Sequence, residues 1–209
     1  MLTYYNDDDG IAVIDDLMPV EEAERFNHIF FEDKSWIAGW NRGLSDKNVD
    51  KWNWHRSVGN DVQNLYTESV DLSILPDEIS NLWYYVEEAI TEHFSVKHYM
   101  TRYYSNSHTY GVDGSIHTDD GDVTALYYPC MDWDAEWEGG TSFYNKEKDD
   151  CIHYSSYKFN RLILFKAKIP HRAMPVTREC YQLRTSVVFK TKMDINDPTY
   201  AEWYRRRNG

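Results

Sequence analysis

His117-Thr118-Asp119 near the middle of the chain, a second histidine at His171, and then Arg184-Thr185-Ser186 follow one another in an order that can do chemistry. Two imidazoles and one carboxylate on one face of a metal leave coordination positions open, the arrangement of non-heme Fe(II) oxygenases. The arginine offers a planar fork suited to the far carboxylate of an organic co-substrate.

Spacing says how these residues can meet. Along a strand, residues two apart point to the same side, so His117 and Asp119 can share one metal while Asp120 points away. Arg184 and Ser186 have the same relation and can both face an interior. A buried arginine is costly without an anion; the alternative to a bound ligand is an ion pair with one of the chain's own acids. Arg178 lies in the polar turn Thr177-Arg178-Glu179-Cys180, and Arg172, next to His171, should point away from it. Of the eight histidines, His153 is the rival third ligand, but no Arg-x-Ser follows it at a comparable distance. The others read as structural or solvated.

Positioning these groups requires strands. Ile11 to Ile14 is a short apolar strand. Met18-Pro19 then leads into a helix from Val20, with acids in its first turn and Ala23, Phe26 and Phe30 at helical spacing. Ser35 to Asn64 holds Trp36, Trp40, Trp52 and Trp54 among polar residues, as a loop, an irregular hairpin packed by indoles, or a substrate cover. Pro76-Asp77-Glu78 opens a second helix through Leu82, Val86 and Ile90 to about Phe94. Short β-rich runs follow at Lys97–Tyr104, Ser115–His117, Val123–Tyr128, Thr141–Tyr144, Arg161–Lys166 and Gln182–Lys190, separated by Gly, Asn and Asp turns. The expected architecture is mainly β with flanking helices: a jelly-roll core over 97–190, with a helical and irregular part, 1–95, packed on it as one domain over 1–209.

Composition bounds the rest. A length of 209 residues, 42% of them hydrophobic, suits one full-sized core. No apolar run is long enough to span a bilayer, and the polar start shows no secretory leader. Cys130, Cys151 and Cys180 are odd in number and lack C-x-x-C spacing, which points away from a disulfide framework and towards the cytoplasm. A formal charge of −13 argues against nucleic-acid and anionic-membrane partners. The Arg205-Arg206-Arg207 cluster reads as a solvated tail.

One stretch is more specific than the triad. Val123-Thr124-Ala125-Leu126-Tyr127-Tyr128-Pro129-Cys130-Met131-Asp132-Trp133-Asp134-Ala135-Glu136-Trp137-Glu138-Gly139-Gly140 resembles the core of prolyl 4-hydroxylase-type Fe(II)/2-oxoglutarate oxygenases, above all the oxygen-sensing protein prolyl hydroxylases. The Tyr-Tyr strand, the Asp-Trp-Asp-Ala turn and the Gly-Gly pair carry the likeness. Arg161–Phe165 before His171 and Met174-Pro175-Val176 after it are similar too, and the resemblance covers about 97–190.

This resemblance implies a double-stranded β-helix in which His117, Asp119 and His171 bind Fe(II), and Arg184 binds the 2-oxoglutarate C5 carboxylate with Tyr128 beside it. Ser186 lies next to Arg184 on the same strand face. Tyr104 resembles a second tyrosine near the co-substrate, with Tyr103 competing because the register at 105–114 is open. The implied reaction is hydroxylation with release of succinate and CO2, O2 as co-substrate and ascorbate supportive. The implied substrate is a prolyl residue in a peptide or protein, with a free amino acid or other small metabolite as the alternative; the 35–64 and 105–114 segments are candidates to cover it. Asp119, in place of a small residue, favours hydroxylation over halogenation.

There are departures. The His171-to-Arg184 gap is longer than in the family, which we place in a turn at 177–180, and Pro129-Cys130 replaces an apolar residue and Asn. Two other classes remain: a Zn(II) hydrolase on the same triad, which leaves Arg184 unexplained, and a cupin-like binding or sensor module without turnover.

Overall fold

The structure, a computed structural model, describes residues 2–6, 10–32, 36–40, 53–56, 69–112 and 114–208. Its elements run β1 (Leu2–Asn6), β2 (Ile11–Ile14), α1 (Val20–Glu32), β3 (Ile37–Trp40), β4 (Asn53–Arg56), α2 (Asp77–Phe94) and β5 (His98–His108). After these come β6 (Val123–Tyr128), β7 (Thr141–Tyr144), β8 (Cys151–Ser155), β9 (Arg161–Lys166), β10 (His171–Ala173), β11 (Arg184–Met193) and α3 (Pro198–Asn208). An eight-stranded sheet in the order β1-β2-β9-β6-β11-β5-β4-β3 faces a three-stranded sheet in the order β10-β7-β8. Each of these pairings is antiparallel. This is the double-stranded β-helix expected.

Strand alternation gives the large sheet two apolar faces. Ala12, Ala125, Tyr127, Leu162, Leu164, Val187 and Phe189 pack outward against Phe26 and Phe30 of α1 and Leu82, Val86 and Ile90 of α2. The opposite residues of the same strands, Val13, Leu126, Tyr128, Ile163, Phe165 and Val188, pack inward against Phe143 of the small sheet. Strands covered on both faces read as near-continuous apolar runs, which is why Arg161–Lys166 stood out in sequence. Burying one Phe or Leu side chain contributes about 1.5–3 kcal/mol, so the two clusters together lock the helices and the small sheet to opposite sides of one wall.

Several boundaries differ from the sequence reading. β5 continues four residues past Tyr104 to His108, because each of those residues pairs with β11. Residues 105–108, part of the loop expected as a substrate cover over 105–114, are therefore strand. Ser115–His117 is not a strand; only His117 pairs, in an isolated bridge to His171. β8, β10 and α3 were not foreseen. β8 is largely exposed, and β10 is three residues long, so neither carries a strong apolar pattern. Arg205 lies in α3 rather than in an unstructured tail and is exposed there.

The Trp-rich segment is partly described. β3 and β4 form a hairpin whose second strand joins β5, and Trp36 stands edge-on to Phe30 at 5.7 Å. Trp52 and the stretches 41–52 and 57–64 lie outside the described residues, so the covering role proposed for them is not addressed. Cys130, Cys151 and Cys180 are free thiols. Among the described residues no helix is long and apolar enough to cross a membrane.

Candidate metal and co-substrate site

The ligand atoms of His117, Asp119 and His171 all lie within 4.8 Å of one another. Two backbone hydrogen bonds tie His117 to His171, each amide donating to the other's carbonyl at 3.0 and 2.8 Å. The Asp119 amide donates to Ala167 O at 2.7 Å, which holds the carboxylate beside the two rings. His117 Nε2 lies 3.7 Å from Asp119 Oδ1, and His171 Nε2 lies 3.4 Å from Oδ2.

Both imidazoles are oriented by their own backbone. His117 Nδ1 is 2.8 Å from Ser115 O and His171 Nδ1 is 2.9 Å from Ile169 O. A carbonyl accepts only, so each Nδ1 donates to it, and each ring is held with Nε2 aimed at the cluster's centre, where a metal would take it. Phe165 meets the His171 ring edge-to-face at 4.6 Å and limits its rotation.

Asp119 is nearly inaccessible, and burial alone would raise its carboxyl pKa. Hydrogen bonding with His171 and the nearby Lys190 ammonium outweigh that and hold it well below the usual carboxylate range. Thr124 Oγ1 donates to Asp119 Oδ2 at 2.8 Å, and Lys190 Nζ pairs with the same oxygen. Oδ1 is thus left to face His117 and the cluster's centre.

Arg184 is 1% exposed. Its Nε donates to Gly139 O at 2.6 Å, and its Nη2 donates to Gly140 O and Thr141 Oγ1, each at 3.3 Å. Among the described residues no carboxylate lies within ion-pair distance of it, so the internal ion pair considered from sequence is not formed. Tyr128 Oη lies 2.7 Å from Thr141 Oγ1, and its ring centre lies 5.4 Å from the guanidinium carbon. Burial raises the Tyr128 pKa, opposed by the Arg184 charge and the Thr141 hydrogen bond; the phenol stays protonated and able to donate.

Gly139 explains the Gly-Gly pair. Its φ is +74°, and a Cβ there would stand 3.1 Å from Arg184 Cγ. The Asp-Trp-Asp-Ala turn has a task too. Trp133 stacks on Tyr157 at 4.0 Å, and Tyr157 on Tyr128 at 4.1 Å, building an aromatic wall beside Arg184.

Register settles the remaining choices. Arg184 pairs with His108, Ser186 with Asn106, Val188 with Tyr104 and Lys190 with Arg102, so all eight share the inner face. Tyr104 therefore faces the barrel interior, with the Lys190 ammonium 5.8 Å from its ring. Tyr103 faces α2 and stacks on Phe189. Ser186 is buried on the inner wall between Arg184 and Val188. His153 stacks on Tyr4 at 4.2 Å and lies across Phe143 from His171, outside the cluster. Asp120 turns to Arg102 at 3.4 Å. Arg172 pairs across from Ser142 and donates to Met174 Sδ, while Arg178 is exposed.

Four residues of this cavity were missed: Thr124, Thr141, His108 and Lys190. Lys190 was legible by parity, since it stands an even number of residues beyond Arg184 on one strand. His108 lies opposite Arg184; burial, and secondarily the Arg184 charge, push its imidazole down to about 3, so it is neutral.

Residues 94–189, which contain His117, Asp119, Tyr128, His171 and Arg184, match the sequence profile of the 2OG-Fe(II) oxygenase superfamily. This segment is thus similar to that superfamily, whose members use Fe(II) and 2-oxoglutarate. Similar folds include a Trichoplax adhaerens prolyl hydroxylase solved in complex with a hypoxia inducible factor oxygen degradation domain peptide fragment. It is 17% identical, with a TM-score of 0.64, 94% of this chain and 88% of that chain being covered. A Pseudomonas putida prolyl-4-hydroxylase is 12% identical, with a TM-score of 0.60 and coverage of 88% and 93%. HygX from Streptomyces hygroscopicus, with nickel, 2-oxoglutarate and hygromycin B bound, is 10% identical, with a TM-score of 0.59 and coverage of 88% and 84%. No curated protein sequence matches this one.

The donor set fits the metal. Two imidazole nitrogens and one carboxylate oxygen on one side of a cluster are the ligands such an iron takes. The buried guanidinium fits the co-substrate, because a dicarboxylate supplies the anion that Arg184 lacks.

Proposed function

We propose that this chain is a hydroxylase in which His117, Asp119 and His171 hold Fe(II) and Arg184, Tyr128 and Thr141 hold the C5 carboxylate of 2-oxoglutarate. The observation that carries the reading is a buried arginine with no carboxylate partner among the described residues, in the barrel that also holds a His-Asp-His cluster. We take 1–209 as one catalytic unit, and the three free thiols support a reducing, cytoplasmic setting.

The bound iron supplies oxygen activation, coupled to conversion of 2-oxoglutarate to succinate and CO2. The chain supplies orientation and dryness. Arg184 and Tyr128 fix one end of the co-substrate, Ser186 and Val188 floor the wall between them and the metal, and Tyr104 flanks the metal end. Phe143, Phe165 and Leu126 exclude water, which strengthens every polar contact inside. Thr124 holds one Asp119 oxygen so that the other faces the metal.

For the substrate we infer a prolyl ring in a peptide or protein. Support comes from the Tyr127–Gly140 stretch and from two structural neighbours that are prolyl hydroxylases. A second reading, a free amino acid or other small metabolite, is favoured by the cationic residues Lys190 and Arg102 beside the metal cluster, which an apolar proline ring does not need. Release of CO2 from 2-oxoglutarate on addition of Fe(II) and ascorbate tests the oxygenase. A 16-dalton gain on a prolyl peptide, the mass of one oxygen atom, tests the substrate, and coupled turnover of a free amino acid instead would move the assignment to the second reading.

A further inference from the structure

The inner wall carries cations that the oxygenase reading does not use. Lys190 is 1% exposed and reaches Asp119 Oδ2 and, at 3.3 Å, Thr124 Oγ1. Arg102 stands directly across from it on β5 and leans over the Tyr104 ring, its guanidinium carbon 5.0 Å from the ring centre. From the turn after β9, the exposed Lys168 adds a third cation at the edge of this wall, its Nζ donating to the Asp119 carbonyl at 3.0 Å. Like charges facing each other across strands are destabilising, and here they gather in a chain whose net charge is −13. Such a cluster needs a reason.

Charge balance supplies one. Asp119 contributes one negative charge, and Arg184 and Lys190 one positive charge each. His108 is neutral, and Arg102 is answered by Asp120. A divalent metal and doubly charged 2-oxoglutarate cancel each other. Arg184 takes a carboxylate of the co-substrate and the metal takes an Asp119 oxygen. Lys190 then shares with a dication the one carboxylate it reaches among the described residues, which leaves the loaded cavity one buried positive charge in excess there. An unpaired buried charge is among the costliest features a protein can carry.

We propose that the substrate of this enzyme carries a carboxylate, which Lys190 and Arg102 read beside the metal. The inference rests on the oxygenase reading above and adds the substrate's charge to it. Lys190 supplies the buried point charge. Arg102, at the half-exposed rim with Tyr104 beneath its guanidinium, supplies the planar fork and can exchange Asp120 for the incoming anion. The carboxylate would thereby set which C–H bond faces the metal. The charge can come from an acidic residue beside the prolyl ring of a peptide or from the small acid of the second reading, and the two arms of the test separate them.

The test uses protein loaded with nickel(II) and 2-oxoglutarate, titrated calorimetrically with matched pairs that differ by one charge. The first probes are the N-acetyl derivatives of proline and of the other amino acids, each beside its primary amide. A second arm compares acetyl-Ala-Pro-Asp-amide with acetyl-Ala-Pro-Asn-amide, which separates a small acid from an acidic peptide as the source. At least one acid should bind tenfold or more tighter than its amide, since a charge-assisted hydrogen bond contributes about 1.5–3 kcal/mol. Lys190→Met should lose that preference and Lys190→Arg should keep part of it. Arg102→Gln, at the half-exposed rim, should reduce it severalfold while 2-oxoglutarate binding is kept. If no acid outbinds its amide, including the case where neither binds, the carboxylate proposal is overturned. Absence of 2-oxoglutarate binding to the nickel protein before any probe is added would instead overturn the oxygenase reading.

Discussion

Arg184 and Tyr128 share a hydroxyl. Thr141 Oγ1 takes a hydrogen bond from Arg184 Nη2 at 3.3 Å and lies 2.7 Å from Tyr128 Oη. The first residue of β11, a central-strand tyrosine and the first residue of β7 are thereby joined at one point, which ties the large sheet to the small one at the proposed carboxylate site.

Arg184→Ala should therefore weaken 2-oxoglutarate binding by about 2–5 kcal/mol, the cost of deleting one partner of a buried charged contact. Arg184→Lys should restore only part of this, because an ammonium lacks the fork. Tyr128→Phe should cost about 1 kcal/mol for one lost hydrogen bond. Calorimetric titration of metal-loaded protein with 2-oxoglutarate reads all three, and unchanged affinity in Arg184→Ala would return the site to the zinc hydrolase reading.

His117→Ala, Asp119→Ala and His171→Ala should each reduce turnover to background and weaken cobalt(II) or nickel(II) binding on the order of 100-fold or more, judged against the 10–100-fold that supporting residues alone command. His153→Ala should keep metal binding, because Phe143 stands between His153 and His171. Metal titration followed by absorbance decides it. Retained binding in His171→Ala, together with loss in His153→Ala, would exchange the two assignments.

Gly140→Ala should destabilise the fold by roughly 1–3 kcal/mol through overpacking. The new methyl would meet the Ser155 carbonyl and, at 2.6 Å, the Tyr154 hydroxyl. Because Gly140 O also accepts from Arg184, the variant should weaken 2-oxoglutarate binding as well as lower Tm. A fall in Tm with unchanged co-substrate affinity would show that the strand recovers its position.

Acid should weaken the fold through Asp15. Its carboxylate takes Arg161 Nε at 2.6 Å and Arg161 Nη2 at 3.0 Å, with Lys158 Nζ at 2.8 Å. Burial alone would raise its pKa; the two cations overcome that and hold it far below the usual range. A depressed folded-state pKa means the contribution is complete above the unfolded value of about 3.9 and drains away as pH falls through the folded one. Asp15→Asn should flatten the loss of stability below about pH 4. It should also cost about 3 kcal/mol at neutral pH by leaving Arg161 buried with one partner fewer. Denaturant midpoints measured between neutral and acid pH give both; parallel curves for variant and wild type would exclude the pair as a source of acid sensitivity.

The two helices and the central strands were legible because their burial is periodic. Ala23, Phe26 and Phe30 repeat at helical spacing, and Leu82, Val86 and Ile90 do the same. β6, β7 and β9 are almost wholly buried and write themselves as apolar runs. β10 and β8 wrote no such signal. β10 holds one buried residue, His171, and β8 presents mostly exposed ones, since they are the two edge strands of the small sheet. Their pairing comes from β7, a partner that the local sequence does not reveal.

What the sequence determined by itself was the kit: His117, Asp119, His171 and Arg184, with strand parity enough to pair each with its near neighbour. Parity is local, since side chains alternate along any extended chain, so even Lys190 could have been read this way. Only the tertiary structure shows that Tyr104 rather than Tyr103 faces the barrel interior, and that among the described residues no acid pairs with Arg184. Those choices depend on which strand lies opposite which, at what register. A shift of one residue would send Tyr104 to the helices and Tyr103 to the cavity. Register is set by the packing of whole faces, with Phe189 and Tyr103 against α2 and Val188 and Tyr128 inside, and no single segment contains that information.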